Sequence, residues 1–319
     1  MDYSVIIQAL LLCKGVSRKI INKLHSDIKS CVNESEVLGV ITHLNNNRID
    51  EITIAEFRKK ISISENLKEN SLKQNISILN ITDEQFPSRL RKINDPPVLL
   101  YLKGDISKFE NCINVALIGT REPSQYGARI AERLGIQFTE RGCNIISGLA
   151  IGCDSFAHIG CLKAKGLALA VMPGGLDRIY PSSNRSLAET ILNTGGALIS
   201  EYPPGVKPFP SFYVDRDRLQ SAISDAIVVV ETGIQGGTMH TVNFALQQGK
   251  TLAAYRHPEK YSHYDKCKGN LLLINTKKAL PIDNESEIID LIEKVKNTTN
   301  STVEVHTNKD IETQLSFLN

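Results

Sequence analysis

The sequence lacks several features that would assign it to a class of protein directly. No apolar run approaches the length of a membrane span. Its seven cysteines contain no CxxC pair and do not suggest a disulfide framework. The net charge is only +2, so a nucleic-acid site would have to be a local basic patch. Asp2 stands where a signal peptide would carry lysine or arginine, and no small-residue cleavage site follows, so we expect a cytoplasmic protein that does not enter the membrane.

Common cofactor and catalytic motifs are also missing. No strand is followed by GxGxxG with an acid about 20 residues further on, and no Walker A lysine, HExxH or GxSxG occurs. His257, His263 and Cys267 have a spacing that matches no common metal site. We therefore predict no metal, no cofactor and no catalytic residue. The function has to be inferred from the loops and the elements that carry them.

A strand–loop–helix pattern begins near Asn114 and repeats along the chain. Residues 115–118 and 144–146 are apolar without alternation, which is typical of buried parallel strands, and the 3.6-residue period between them predicts a helix over 127–141. Similar units continue to the apolar strand at 251–255. The alternation predicts an α/β fold with a doubly wound, mainly parallel sheet.

Three regions are predicted. Residues 1–62 form a small helical module, in which the Gly15-Val16-Ser17 turn is similar to a helix-hairpin-helix; such a turn either offers backbone N–H groups to a phosphate or only packs two helices. Residues 63–295 form the α/β domain, and residues 296–319 a polar, disordered tail. Within the domain, residues 201–218 are predicted to be a long proline-rich loop, and such loops are usually functional.

Small-residue loops follow several of the predicted strands. Because parallel strands place such loops at one edge of the sheet, we expect a ligand site there. Glycines allow close backbone approach, and arginines suit phosphate; the alternative is that the glycines only turn the chain and the arginines are solvated. The candidate residues are Gly119, Thr120, Arg121, Ser147, Gly148, Gly174, Gly175, Arg216, Arg218, Gly236, Gly237 and Thr238.

Several motifs in order resemble the DNA-processing protein A family (DprA, also called Smf). They are GTREPSQYG, SGLAIGCDSFAH, MPGGLDRIYPSSNRSLAE, GGALISEYPPG, DRDR before SDAIVVVE, and GGTM before ALQQGK, and the similarity covers about residues 76–285. The resemblance implies an extended Rossmann-like domain, with an N-terminal helix-hairpin-helix or SAM-like module, that binds single-stranded DNA. It also implies a homodimer that hands the strand to a RecA-type recombinase during natural transformation. With only a polar tail after residue 295, the chain resembles a short form without a winged-helix domain.

Residue by residue, the resemblance implies strand contacts from Gly119, Thr120 and Arg121, from Arg216 and Arg218, and from Arg185 at the NRS turn. Aromatic side chains in the proline-rich loop either stack on bases or pack the loop; they are Phe209, Phe212 and Tyr213. Three positions depart from the family pattern. Ile151 replaces an arginine, and Asp215 and Asp217 interleave with the arginines, which we expect to weaken an anion site.

Two other functions remain open from the sequence. The first is a nucleotide-handling protein of the same fold, either a sensor of a small nucleotide or a phosphoribohydrolase. The PGG and GGT loops are similar to the phosphate loops of phosphoribohydrolases, for which Glu231 is the candidate acid. The alternative for Glu231 is a carboxylate that caps a loop, since catalysis needs a positioned set of groups. A third possibility is an interaction scaffold with vestigial glycine loops.

Overall fold

A single β-sheet forms the centre of the protein. The computed structural model describes residues 1–43, 52–261 and 263–298, and within these ranges nine strands join one sheet. The strands are β1 Ser77–Asn80, β2 Leu99–Gly104, β3 Asn114–Ile118, β4 Asn144–Ser147, β5 Ala168–Val171, β6 Ala197–Ser200, β7 Ala226–Val229, β8 Thr251–Tyr255 and β9 Leu280–Ile282. Their order is β1-β2-β6-β5-β4-β3-β7-β8-β9.

The strands from β3 to β9 are mutually parallel, and the chain winds outward from β3 in two directions. It first passes through β4, β5 and β6, then returns to pair β7 beside β3 and continues to β8 and β9. β2 runs antiparallel to β6, and β1 to β2. The prediction of a doubly wound, mainly parallel sheet is confirmed. The direction of winding reverses between β3 and β7, which is where such sheets bind ligands.

Helices cover both faces of the sheet. They are α5 Ser88–Arg91, α6 Gln125–Glu140, α7 Cys153–Lys163, α8 Arg185–Asn193, α9 Pro210–Ile223, α10 Thr238–Gln247 and α11 Asp265–Asn275, followed by α12 over residues 285–298. Alternate residues of β3 show the division. Val115 and Leu117 pack with α6, α7, α8 and α12, whereas Ala116 and Ile118 pack with α5, α9, α10 and α11. Strands covered on both faces explain the continuous apolar runs in the sequence.

The N-terminal helices form a module whose apolar core also takes in Val98 and Leu99 at the start of β2. They are α1 Tyr3–Leu11, α2 Arg18–Ser30, α3 Glu34–His43 and α4 Ile54–Lys73. The predicted boundary at 62/63 falls inside α4, because a Thr53–Glu56 capping box starts one continuous helix that runs to Lys73. At the other end, the predicted tail begins inside α12, which includes residues 296–298, and its residues 299–319 lie outside the described part of the chain.

The predicted loop over 201–218 is wrong in its second half, which belongs to α9. Proline is favoured in the first turn of a helix, where its missing N–H costs no hydrogen bond, and Pro210 occupies that turn. The DRDR segment is therefore helical, and its four charged side chains point in different directions. This change decides which of them can reach a ligand.

Candidate functional site

A groove of about 550 Å³ lies where the winding of the sheet reverses. Its walls come from the segments that follow β3, β4 and β7, together with α9 and the start of α10. The residues that line it are Ile118, Gly119, Thr120, Arg121, Ala150, Asp154, Pro210, Tyr213, Val214, Arg216, Asp217, Gln220, Thr232, Gly233, Gly236, Gly237, Thr238, His240 and Thr241. The sheet edge predicted from the loops thus does carry a cavity.

The segment after β3 forms the mouth of the groove. Arg121 is exposed, and its guanidinium carbon lies 4.8 Å from the ring centroid of Tyr213 on α9. This cation–π contact keeps a cationic group and an aromatic face together at the opening. Across the same groove, Gly237 and Thr238 lie at the N-terminus of α10, where backbone N–H groups favour an anion.

Glu231 fixes the loop that carries Arg121. Its side chain is fully buried, and its Oε2 accepts hydrogen bonds from Ser124 N at 3.0 Å and from Ser124 Oγ at 3.3 Å. Its backbone carbonyl accepts one from Thr120 N at 2.8 Å. Position 127 requires glycine, because a Cβ there would overlap the Glu231 carboxylate. Glu231 is not among the groove residues, and its contacts match the capping role that the sequence left open.

We expect Glu231→Ala to lower the free energy of unfolding by about 1–3 kcal/mol, because the N–H of Ser124 and its hydroxyl would lose their buried acceptor. Urea unfolding monitored by circular dichroism measures the change. Glu189→Ala, at an exposed position of α8, is the control and should change stability by less than about 0.5 kcal/mol. Equal stability of Glu231→Ala and wild type would contradict the role of Glu231 as a carboxylate that caps this loop.

The floor of the groove holds a buried ionic cluster around Arg216, whose exposure is only 6%. Arg216 Nη1 donates to Gln220 Oε1 at 2.7 Å and lies 3.9 Å from Asp154 Oδ2, while Arg216 Nε lies 3.3 Å from Asp217 Oδ1. Gly148 lies against the guanidinium, where a Cβ would overlap it. Arg216 is therefore largely compensated by two carboxylates, as expected for a buried cation.

Burial shifts the protonation of the groups around Arg216. It raises the pKa of Asp217 to about 6; Arg216 and His240 oppose the shift, and Asp154 adds to it. It also raises the pKa of Asp154, against the influence of Arg216 and of the Gly148 N–H. The pKa of the buried His158 imidazole is lowered to about 3 by burial and by Arg216, so this histidine is neutral. The floor therefore changes charge only through its carboxylates.

The helical phase of α9 separates the DRDR residues into two sets. Arg216 and Asp217 face the groove, whereas Asp215 and Arg218 point away from it. Asp215 accepts a hydrogen bond from Tyr202 Oη at 3.2 Å, and Arg218 pairs with Glu201 and donates to the carbonyl of Asp95. Asp215 therefore does not line the groove that it is expected to weaken, and Arg218 is held where it does not reach the groove.

The remaining predicted residues also divide. Ser147 donates its hydroxyl to Leu117 O at 2.7 Å and so ties β4 to β3. Gly174 and Gly175 are buried against the backbone of residues 203–208 and do not line the groove. Arg185 is exposed at the start of α8 and does not line the groove. Of the departures, Ile151 is 45% exposed next to the groove residue Ala150. An apolar side chain thus stands where the family pattern places a cation.

Several groove residues were missed from the sequence. Gln220 follows Arg216 by one helical turn, and Asp154 lies in the first turn of α7 and accepts from Gly148 N at 3.0 Å. His240 and Thr241 lie on α10. A helix predicted over residues 210–223 would have identified Gln220 through its i,i+4 spacing from Arg216.

The metal candidate His257 is hydrogen-bonded to Val230 O at 2.8 Å, and the described residues contain no cluster of three or more metal-ligating side chains. No helix among them is long and apolar enough to cross a membrane.

Comparison with known proteins identifies relatives. The model of a family described as DNA recombination-mediator protein A matches residues 77–293. DNA processing protein DprA of Bacillus subtilis is 35% identical over 181 residues, which are 57% of this chain and 61% of that protein. Protein Smf of Escherichia coli is 31% identical over 211 residues, 65% of this chain and 56% of that protein. The chain thus spans about three-fifths of the length of these curated relatives.

Two solved structures are also similar. DNA processing protein A of Streptococcus pneumoniae superposes with a TM-score of 0.74 over 91% of this chain and 98% of that one, at 22% identity, and shares the fold. DNA processing protein A of Helicobacter pylori superposes with a TM-score of 0.61 over 69% of this chain and 96% of that one, at 27% identity. The latter structure is described as giving insight into a single-stranded DNA binding mode.

Proposed function

This chain belongs to the DNA recombination-mediator protein A family, and from that membership we propose that its groove binds single-stranded DNA. The observation that carries the proposal is the mouth of the groove, where the exposed Arg121 lies over the ring of Tyr213. Proteins that bind single strands combine cations for phosphates with aromatic faces for bases. Both occur here at the switch point of the sheet.

An aromatic ladder extends the binding surface along the start of α9. The rings of Tyr202 and Phe212 are stacked with centroids 4.0 Å apart, and Phe209 meets Phe212 edge to face at 5.4 Å. Phe209 is 61% exposed, so its ring is available to a base. Phe212 instead packs between its two neighbours. Of the two roles left open for these rings, stacking thus fits Phe209 and packing fits Phe212.

The wider role that we propose is that of a cytoplasmic mediator of DNA processing in natural transformation. In that role the protein is a homodimer that protects an incoming strand and loads a RecA-type recombinase. Family membership supports a role in DNA processing, and the similar structure from Helicobacter pylori supports single-stranded DNA as the ligand. The recombinase, the dimer and the compartment follow from the resemblance in sequence.

A small-nucleotide pocket is the second candidate, favoured by the enclosed, mixed-charge floor of the groove. In it, Arg216 lies between Asp154 and Asp217. The phosphoribohydrolase form of this candidate depends on Glu231. That side chain is occupied by Ser124, and the groove offers it no direct access. Binding rather than sugar cleavage is therefore the better-supported function.

Fluorescence anisotropy of a labelled oligothymidine, with a duplex competitor and a salt series, tests the proposal. A strand-binding groove loses affinity steeply with salt, with a slope of about −0.7 per phosphate contact. We expect a slope that corresponds to at least two contacts, and preference for single strands over duplex. Absence of binding at low salt, together with binding of a mononucleotide, would instead establish the small-nucleotide pocket.

Acidification should strengthen strand binding. When the pH falls from 7.5 to 5.5, Asp217 takes up a proton, because its pKa is raised to about 6, and the groove loses one negative charge. If a bound phosphate raises that pKa by one further unit, the affinity increases up to about tenfold. Thymine does not titrate in this range, so oligothymidine isolates the protein's contribution.

Three variants assign this pH dependence. Asp217→Asn should bind at pH 7.5 about as tightly as wild type at pH 5.5 and lose most of the dependence. His240→Gln replaces the histidine that lines the same groove, and Asp154→Asn tests the neighbouring carboxylate. An unchanged pH profile in Asp217→Asn would show that Asp217 is not the titrating group.

A further inference from the structure

Five charged side chains connect the helical module to α9. They form what we call the module–helix ion network, made up of Arg18, Asp95, Glu201, Asp215 and Arg218. Arg18 is the first residue of α2 and follows directly on the Gly15-Val16-Ser17 turn. The turn that resembles a helix-hairpin-helix therefore delivers an arginine to carboxylates of the α/β domain.

Arg18 holds three carboxylates at once. Its Nε lies 3.0 Å from Asp95 Oδ1 and its Nη2 lies 2.7 Å from Asp95 Oδ2, a bidentate pair. Its Nη1 lies 3.7 Å from Glu201 Oε2, and its Nη2 lies 3.6 Å from Asp215 Oδ1. Arg218 closes the network from α9 by contacts to Glu201 and to the carbonyl of Asp95. Glu201 and Arg218 are almost completely buried, so the geometry of their contacts matters more than that of a surface pair.

The same helix carries the floor of the groove. Asp215 and Arg218 are three residues apart and face the network, whereas Arg216 and Gln220 are four apart and face the groove. A rotation of α9 that broke the network would also turn Arg216 away from Asp154 and Gly148. The orientation of the groove side chains is thus coupled to the contact between α9 and the module.

We propose that Arg18 is a positioning residue for strand binding, which holds α9 in the rotation that directs Arg216 to the groove. This inference rests on the proposed function and deepens it, because the helical module then sets the affinity of a groove that it does not line. Loss of Arg18 leaves Asp95, Glu201 and Asp215 close together with Arg218 as their remaining guanidinium in the network. Repulsion among like charges in a buried site then favours displacement of α9.

The test compares Arg18→Met with Arg18→Lys and with Arg58→Met, a control in which an exposed arginine of the same module loses its pair with Glu34. We expect Arg18→Met to weaken oligothymidine binding about tenfold, as a fall in the binding-competent population would do, with an unchanged salt slope. Hydrogen exchange of the amides in residues 210–223 should accelerate without DNA. Arg18→Lys should restore part of the affinity, and Arg58→Met should match wild type in both measurements.

Each other outcome has a distinct meaning. Unchanged affinity and exchange in a folded Arg18→Met protein would overturn the inference. A salt slope reduced by about 0.7 would show that Arg18 contacts a phosphate itself and would overturn it as well. If wild type binds no oligothymidine, the proposed function fails, while the exchange measurement still decides whether Arg18 holds α9. If Arg18→Met does not fold, Asp95→Asn removes the bidentate partner instead and should show the same accelerated exchange and weaker binding.

Discussion

Arg121→Glu is expected to weaken the affinity for oligothymidine by at least about a hundredfold at moderate salt. The substitution removes the exposed cation at the mouth of the groove and places a negative charge where a phosphate would lie. Like charges juxtaposed across an interface cost several kcal/mol, and each 1.4 kcal/mol is tenfold in affinity. Anisotropy titrations at several salt concentrations measure the effect, and the same titrations on Arg121→Ala should show a slope shallower by about 0.7.

Lys163→Glu is the matched control for this reversal. It makes the same change in net charge at the C-terminal end of α7, while the groove contacts the N-terminal end of that helix. We expect its affinity to remain within about twofold of wild type, because exposed charges separated by more than a Debye length are largely screened. Arg121 is exposed, so its reversal should cost little stability; Lys163→Glu loses an exposed ion pair with Glu132, which should cost about 1 kcal/mol or less. If both reversals weaken binding equally, the strand responds to overall charge and the groove is not its site.

The sequence predicted the centre of the sheet well because the strands from β3 to β7 are buried at every residue. The strand at residues 251–255 was placed at the observed bounds, and the predicted strand at 115–118 differs from β3 by one residue. An apolar run without alternation depends only on local composition, so it can be recognised without knowledge of the neighbouring strands. The position of the loops at one sheet edge then followed from the parallel connections.

The charges around the groove could not be assigned in the same way. Prolines at positions 203, 204, 208 and 210 suggested a loop, so Asp215 and Asp217 looked equivalent. In the helix they lie on different faces, and only Asp217 reaches the groove. Arg216 is buried at the floor of the groove near Asp154, and Arg218 is paired with Glu201. Both partners lie on other elements, so these pairings depend on tertiary contacts. The helical period of α9 predicts which of its side chains share a face, but it does not predict that Asp154 and Glu201 are their partners.

Gly148→Ala is expected to lower the free energy of unfolding by about 3 kcal/mol, because it displaces Arg216 from its buried position. The φ angle of Gly148 is not in the left-handed region, so alanine meets no backbone strain, but its Cβ would overlap the guanidinium. Displaced, Arg216 would leave Asp154 buried without its cation, and breaking such a pair by loss of one partner costs about 3–5 kcal/mol. Some relaxation of Arg216 toward the groove offsets part of that cost.

The pH dependence of this loss identifies its cause. Without Arg216, burial raises the pKa of Asp154 further, so the folded state takes up a proton that the unfolded state binds only at lower pH. The difference in unfolding free energy between Gly148→Ala and wild type should therefore be largest near pH 7.5 and shrink toward pH 5. Gly237→Ala is the control, since no atom lies within 4 Å of its Cβ and its φ is −55°, and it should stay within about 0.5 kcal/mol of wild type. A loss that does not change with pH would point to a backbone shift rather than to the uncompensated buried charge of Asp154, and would locate the strain in the loop between β4 and α7.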